Sequence, residues 1–226
     1  MNIKAVAITI LLPLGTSPLG YCNSVKEESL PATRAEWRNL LKWDDACESG
    51  VAHIANSGVG FVGVTHFKMR DSSSLVSVVC RTGSYNQGKI LFLLRNPGSG
   101  QRSKELVFPQ FRYQEPKADS SKYFDPNLKV PAGTVDSFYT YSDRLLWGNL
   151  QVDKEKQTIT NNDFFRGGDA ACGTHTVYQL VGETPQVVEF RAQPHCRAGA
   201  VPIEKWKLYP ENIRSKWPTG PAPSYE

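Results

Sequence analysis

Gly173-Thr174-His175-Thr176-Val177-Tyr178-Gln179-Leu180, the turn Gly182-Glu183-Thr184-Pro185, and Gln186-Val187-Val188-Glu189-Phe190-Arg191-Ala192 decide the fold class. Two runs of β-prone residues flank a Gly- and Pro-bearing turn, which predicts an antiparallel hairpin. In the second run Val188, Phe190 and Ala192 alternate with Val187, Glu189 and Arg191. That period of two predicts a half-buried strand with one charged edge.

The same pattern recurs outward from this hairpin. Phe61–Phe67, Leu75–Cys80 and Lys89–Arg95 read as three strands separated by short polar turns, with Leu106-Val107-Phe108 as a fourth. Lys89-Ile90-Leu91-Phe92-Leu93-Leu94-Arg95 is apolar at every interior position, so both of its faces need cover and it belongs at the centre of its sheet. Leu145-Leu146-Trp147 and Leu150-Gln151-Val152 flank Gly148-Asn149, and Thr158-Ile159-Thr160 follows the charged turn Asp153–Lys156. Ahead of the strands, Thr33 and Glu36 have capping-box spacing and Trp37, Leu40 and Leu41 recur on one helical face. A short helix ending near Lys42 follows, with a second helical turn carrying Cys47. The expected architecture is α+β, mainly antiparallel β: a short N-terminal helix, then two β-meander halves with two disulfides. The halves span about 35–112 and 141–210, within a β-rich region 35–210. A Pro-bearing loop over 113–140 joins them, 25–34 is a flexible lead-in, and 211–226 is a Pro-rich tail.

Residues 1–24 read as a signal peptide: Lys4 is the basic start, Ala5–Leu14 an apolar run too short to span a bilayer, and Gly15–Pro18 a breaker. Leu19-Gly20-Tyr21-Cys22 also approximates a lipoprotein cleavage box, the alternative being a lipid anchor at Cys22. Export places the remaining four cysteines where disulfides persist. Cys172 precedes one arm of the hairpin and Cys196 follows the other, so folding brings them together and leaves Cys47 for Cys80. Four cysteines allow three pairings, and this is the one the hairpin favours. The net charge of +4 is too mild, and its basic residues too scattered, to imply nucleic acid.

The order of several motifs resembles a known family. Trp37 to Cys47 opens it, followed by Val79-Cys80-Arg81-Thr82-Gly83-Ser84-Tyr85-Asn86 and Leu106-Val107-Phe108-Pro109. Phe164-Phe165-Arg166-Gly167-Gly168-Asp169, Cys172-Gly173, Val188–Ala192, Cys196, Trp206 and Tyr209-Pro210 complete it. Over residues 35 to 210 this order is similar to the bacterial domain-of-unknown-function family 1176. The resemblance implies export in a bacterium and no established activity. Members place an Asp directly before the Cys-Gly pair, whereas here Ala170-Ala171 separate Asp169 from Cys172.

Candidate sites are few. Gly58-Val59-Gly60-Phe61-Val62-Gly63 spells a dinucleotide fingerprint but opens a strand, where no helix N-terminus meets a phosphate. Gly98-Ser99-Gly100 lacks the flanks of a nucleophile elbow. Cys172 and His175, with His195 and Cys196, have the atoms for zinc, but an oxidising compartment takes such thiols into disulfides first. No metal or other cofactor is expected. Asp163, Arg166 and Asp169 surround Gly167-Gly168 as carboxylates beside a cation, the ingredients of a hydrolytic acid/base site or of a braced loop. Tyr85 and Asn86, with Arg166, are the candidate binding residues, an exposed aromatic and amide at a hairpin tip. The expected function is non-enzymatic binding of an envelope protein or cell-wall component through surface loops, the alternatives being an envelope hydrolase using Asp163 and Asp169, and a structural scaffold.

Overall fold

Thr33 starts the first helix as its pattern predicts. Its hydroxyl accepts from the Glu36 amide while the Glu36 carboxylate accepts from the Thr33 amide, and α1 (Arg34–Leu41) ends at Lys42 in a left-handed conformation. Asp44 then caps α2 (Asp45–Ser49) through the Cys47 amide. The computed structural model describes residues 30–52, 63–71, 73–83, 86–95, 102–113, 138–165, 172–194 and 200–222.

Twelve strands follow among the described residues: β1 (Val64–Lys68), β2 (Ser74–Thr82), β3 (Gln87–Arg95), β4 (Arg102–Glu105), β5 (Phe108–Tyr113), β6 (Phe138–Asp143), β7 (Leu146–Trp147), β8 (Asn149–Asp153), β9 (Thr158–Phe164), β10 (Gly173–Val181), β11 (Thr184–Gln193) and β12 (Lys207–Leu208). The named strands pair antiparallel throughout. One sheet runs β1-β2-β3-β4 with β7 also on β3, a second runs β12-β11-β10-β9-β8, and β5-β6 is a separate ribbon. A last short helix, α3 (Glu211–Arg214), follows β12.

The unbroken apolar run of β3 has the physical consequence expected of it. Ile90, Phe92 and Leu94 face the helices, packed with Trp37, Leu41, Trp43 and the Cys47–Cys80 pair. Leu91 and Leu93 face the other way, onto Phe108, Ile159, Tyr178 and Leu180. Helices, first sheet and second sheet are therefore three layers with β3 in the middle. Arg34 ties the outer layer down: its guanidinium donates to Glu48 at 3.0 Å and to the Val79 carbonyl at 3.0 Å, and it lies over the Trp43 ring.

Four expectations need correction. Leu106 and Val107 lie between β4 and β5 rather than in a strand. The connection expected over 113–140 gives up its ends to β5 and β6, which pair from Phe108↔Asp143 to Tyr113↔Phe138; the remainder lies outside the described residues. Trp147 and Leu150 are not arms of one hairpin, because β7 pairs with β3 while β8 pairs with β9. Val188 points outward, 56% exposed. A β-bulge opposite Val177/Tyr178 inserts one residue into β11 and reverses its alternation, so Val187 turns inward with Pro185 while Phe190 and Ala192 keep the inward phase beyond it.

The segment beyond Pro210 also packs more firmly than a tail. Trp217 stacks among Phe111, Phe138, Phe190 and Tyr209, and Thr219 bridges Thr140 of β6. Among the cysteines, Cys47–Cys80 is bonded. Cys172 is also disulfide-bonded, while its expected partner Cys196 lies outside the described residues, as do Cys22 and residues 1–24.

Candidate functional site

The two site hypotheses read from the sequence meet at one place. Asn86, at the β2–β3 turn of the first sheet, donates through Nδ2 to Asp163 Oδ1 at 2.8 Å and to the Phe164 carbonyl at 2.9 Å on β9 of the second. Its Oδ1 is buried without a hydrogen-bond partner among the described residues. Asn86 is therefore committed inward as a stitch between sheets, not held out as a contact. Tyr85, Arg166, Asp169 and His195 lie outside the described residues.

Asp163 occupies the inner face of β9, in register with Thr174 of β10. Desolvation pushes its pKa up to about 7. Its side-chain partner among the described residues is an amide donor, which leaves that desolvation largely uncompensated. Gly173 leaves the space: with φ of +154°, a Cβ there would stand 2.2 Å from the Asp163 carbonyl oxygen. The nearby Tyr178 hydroxyl, buried and influenced by Asp163, is held well above its ordinary pKa by burial.

Next to it the chain changes sheets. Gly148, at φ +125°, sits where a Cβ would fall 2.2 Å from the Asn162 carbonyl oxygen. The crossing carries two carbonyls into the interior. Asn161 donates to that of Trp147 at 2.9 Å, and Lys89 donates to that of Gly148 at 3.1 Å. Burial lowers the Lys89 pKa, and Asn161 Oδ1 has no partner among the described residues. Buried polar groups of this kind are explained by the backbone they satisfy.

His175 is likewise accounted for. Its Nδ1 meets Asn162 Oδ1 at 2.6 Å, and its Nε2 stands 3.8 Å from Glu189. Desolvation lowers its pKa, so the neutral ring donates from Nδ1. With Cys172 disulfide-bonded, the pair is not a thiolate and its base.

A second locus went unread in the sequence. β12 pairs with β11 only at Arg191 and Ala192. From Thr184 to Glu189 no described strand pairs with the same side of β11. That edge opens onto a groove of about 780 Å³ lined by Phe111, Val187, Val188, Leu208, Tyr209 and Arg214, among others. Val188 and Leu208 are exposed apolar residues at 56% and 49%. Two obstacles hid the groove. The bulge puts Val188 out of phase with its strand, and Arg214 stands near Lys216 in a segment with no clear periodicity.

No family model, curated protein or solved structure matches the chain.

Proposed function

We propose that the protein is an exported bacterial envelope protein that binds a polypeptide partner, without catalysis, along the open edge of β11. The observation that carries this is the groove beside a strand edge that no described strand pairs. An edge presents backbone donors and acceptors that an incoming extended segment can match, while adjoining apolar surface takes alternate side chains. The Cys47–Cys80 bond and the disulfide at Cys172 support an oxidising compartment, as does the leader over 1–24. Among the described residues no helix is long and apolar enough to cross a membrane. The motif order resembling family 1176 supports export in the same sense. A Cys172–Cys196 bond belongs to this reading, closing the base of the β10–β11 hairpin.

Placing a photoreactive benzoylphenylalanine at Val188, with Lys42 on the helical layer as control, tests it in intact cells. A discrete protein adduct at Val188 and none at Lys42 is expected. The partner so found should bind purified protein at least about tenfold more weakly when Val188→Arg blocks the groove. Adducts at both positions, or unchanged affinity in the variant, defeat the proposal.

One observation favours a second reading, an envelope hydrolase: Asp163 is a carboxyl that holds its proton near neutral pH, the property a general acid needs. In that case Asp163→Asn abolishes turnover of cell-wall sacculi or a nitrophenyl ester while the fold persists. Wild-type protein inert on both, or equal rates in the variant, removes this reading.

A further inference from the structure

Arg214 is the one charged side chain of the groove that is itself deeply buried, at 8% exposure. Its Nη2 reaches the Val187 carbonyl on β11 at a long 3.4 Å, and its guanidinium lies 5.9 Å from the centre of the Phe111 ring. Its Nε is buried with no hydrogen-bond partner among the described residues. A guanidinium carries five N–H donors in a rigid fork and does not shed its proton, so an unfilled position at depth calls for an acceptor.

The nearby acids among the described residues do not supply it. Glu189 is held by Arg191, whose Nε donates to it at 2.6 Å. Glu211 stands on the same short helix, exposed, and acts on Arg214 only through space, leaving Nε without an acceptor among the described residues. Burial pulls the Arg214 pKa below its ordinary value, the direction expected of a desolvated cation without a contacting anion.

We infer that Arg214 is a carboxylate receptor, and that the occupant of the groove is an extended peptide of a partner protein that lies along β11 and sets one Asp or Glu side chain on the guanidinium. This rests on the strand-capture reading above and adds the chemistry that selects the strand. The edge accounts for the extended backbone. Phe111, Val188 and Leu208 account for apolar neighbours of the acid, and the fork accounts for the acid itself, because an Arg–carboxylate pair is bidentate and directional where a backbone carbonyl is not.

The test uses two fluorescein-labelled pools of nine-residue peptides, randomised over Thr, Val, Tyr and Gln, with Glu fixed at the fifth place in one and Gln in the other. Binding to the purified protein is read by fluorescence anisotropy. The Glu pool should bind about tenfold more tightly than the Gln pool, and Arg214→Gln should bring the two together. Should Arg214→Gln fail to fold by circular dichroism, Arg214→Lys keeps the charge but loses the fork, and it should reduce the preference at least about threefold. A preference for Glu that survives in whichever variant folds overturns the inference. Equal binding of both pools to the wild type, abolished by Val188→Arg, overturns the carboxylate receptor and leaves strand capture standing. Binding of neither pool overturns both.

Discussion

Asp163 carries a titration that the rest of the molecule must accommodate. Its pKa in the folded protein is pushed up to about 7 by desolvation, against an ordinary value of 3.8. The folded state therefore holds this proton more tightly than the unfolded chain does. Its contribution to stability is complete below pH about 4 and is lost as pH rises through about 7. Such a shift corresponds to roughly 4 kcal/mol between those limits as an upper bound. Asp163→Asn keeps an oxygen for the Asn86 amide to reach and removes the charge. Urea unfolding from pH 4 to pH 8 should show the difference between variant and wild type growing in the variant's favour as pH rises. A constant difference across that range would mean that Asp163 ionises in the fold as it does in water. None of this could be read from the chain, because the partner that places Asp163, Asn86, is 77 residues away. Each residue was visible as a candidate; their meeting was not.

Gly148 shows what governs the elements. Leu145–Trp147 and Leu150–Val152 read as runs to either side of Gly148-Asn149, yet the strands they fall in, β7 (Leu146–Trp147) and β8 (Asn149–Asp153), pair in different sheets, and Gly148 alone between them makes the passage. The passage needs φ of +125° and backbone within 2.2 Å of where a Cβ would be, so Gly148→Ala forces the crossing apart from both sides. A cost of at least about 3 kcal/mol is expected by chemical denaturation, against under about 1 kcal/mol for Asn149→Ala on the exposed neighbour. Comparable effects from both would show that the crossing relaxes freely. The strands that could be read were those with a strong local period: the continuous apolar run of β3 dictated a central position because both faces had to be covered. The failures share a cause. The β11 bulge reversed a clear alternation through one inserted residue, and Pro109 broke the run at the second residue of β5, so that the strand beyond it went unread. Such features are set by the partner strand, which local pattern does not contain.

At the scale of the molecule, the third packed cluster explains why the C-terminal segment matters. Phe138 of β6 and Phe190 of β11 are fully buried, and the rings around them come from β5, from Tyr209 and from Trp217. Trp217 contacts four of these rings, so the ribbon β5-β6 reaches the second sheet partly through a residue the sequence left in a tail. The backbone agrees, since the Thr140 amide donates to the Pro218 carbonyl at 2.9 Å and the Gly220 amide to the Thr140 carbonyl at 2.8 Å. A chain ending at Pro210 loses these contacts and α3 while keeping α1, α2, the first sheet and the strands of the second. Trp217→Ala should cost about 2–3 kcal/mol, below the usual range for a fully buried Trp because its ring is only half-buried, and truncation should cost more. Hydrogen exchange should localise the loss: protection falls along Phe108–Tyr113 and Phe138–Asp143 and is kept at Leu91 and Leu93, which pair with β2 inside the first sheet. If the truncated chain keeps full protection along β6, the aromatic cluster is held by Phe111, Phe190 and Tyr209 without help. The segment beyond Pro210 would then serve the groove through Arg214 and not the fold.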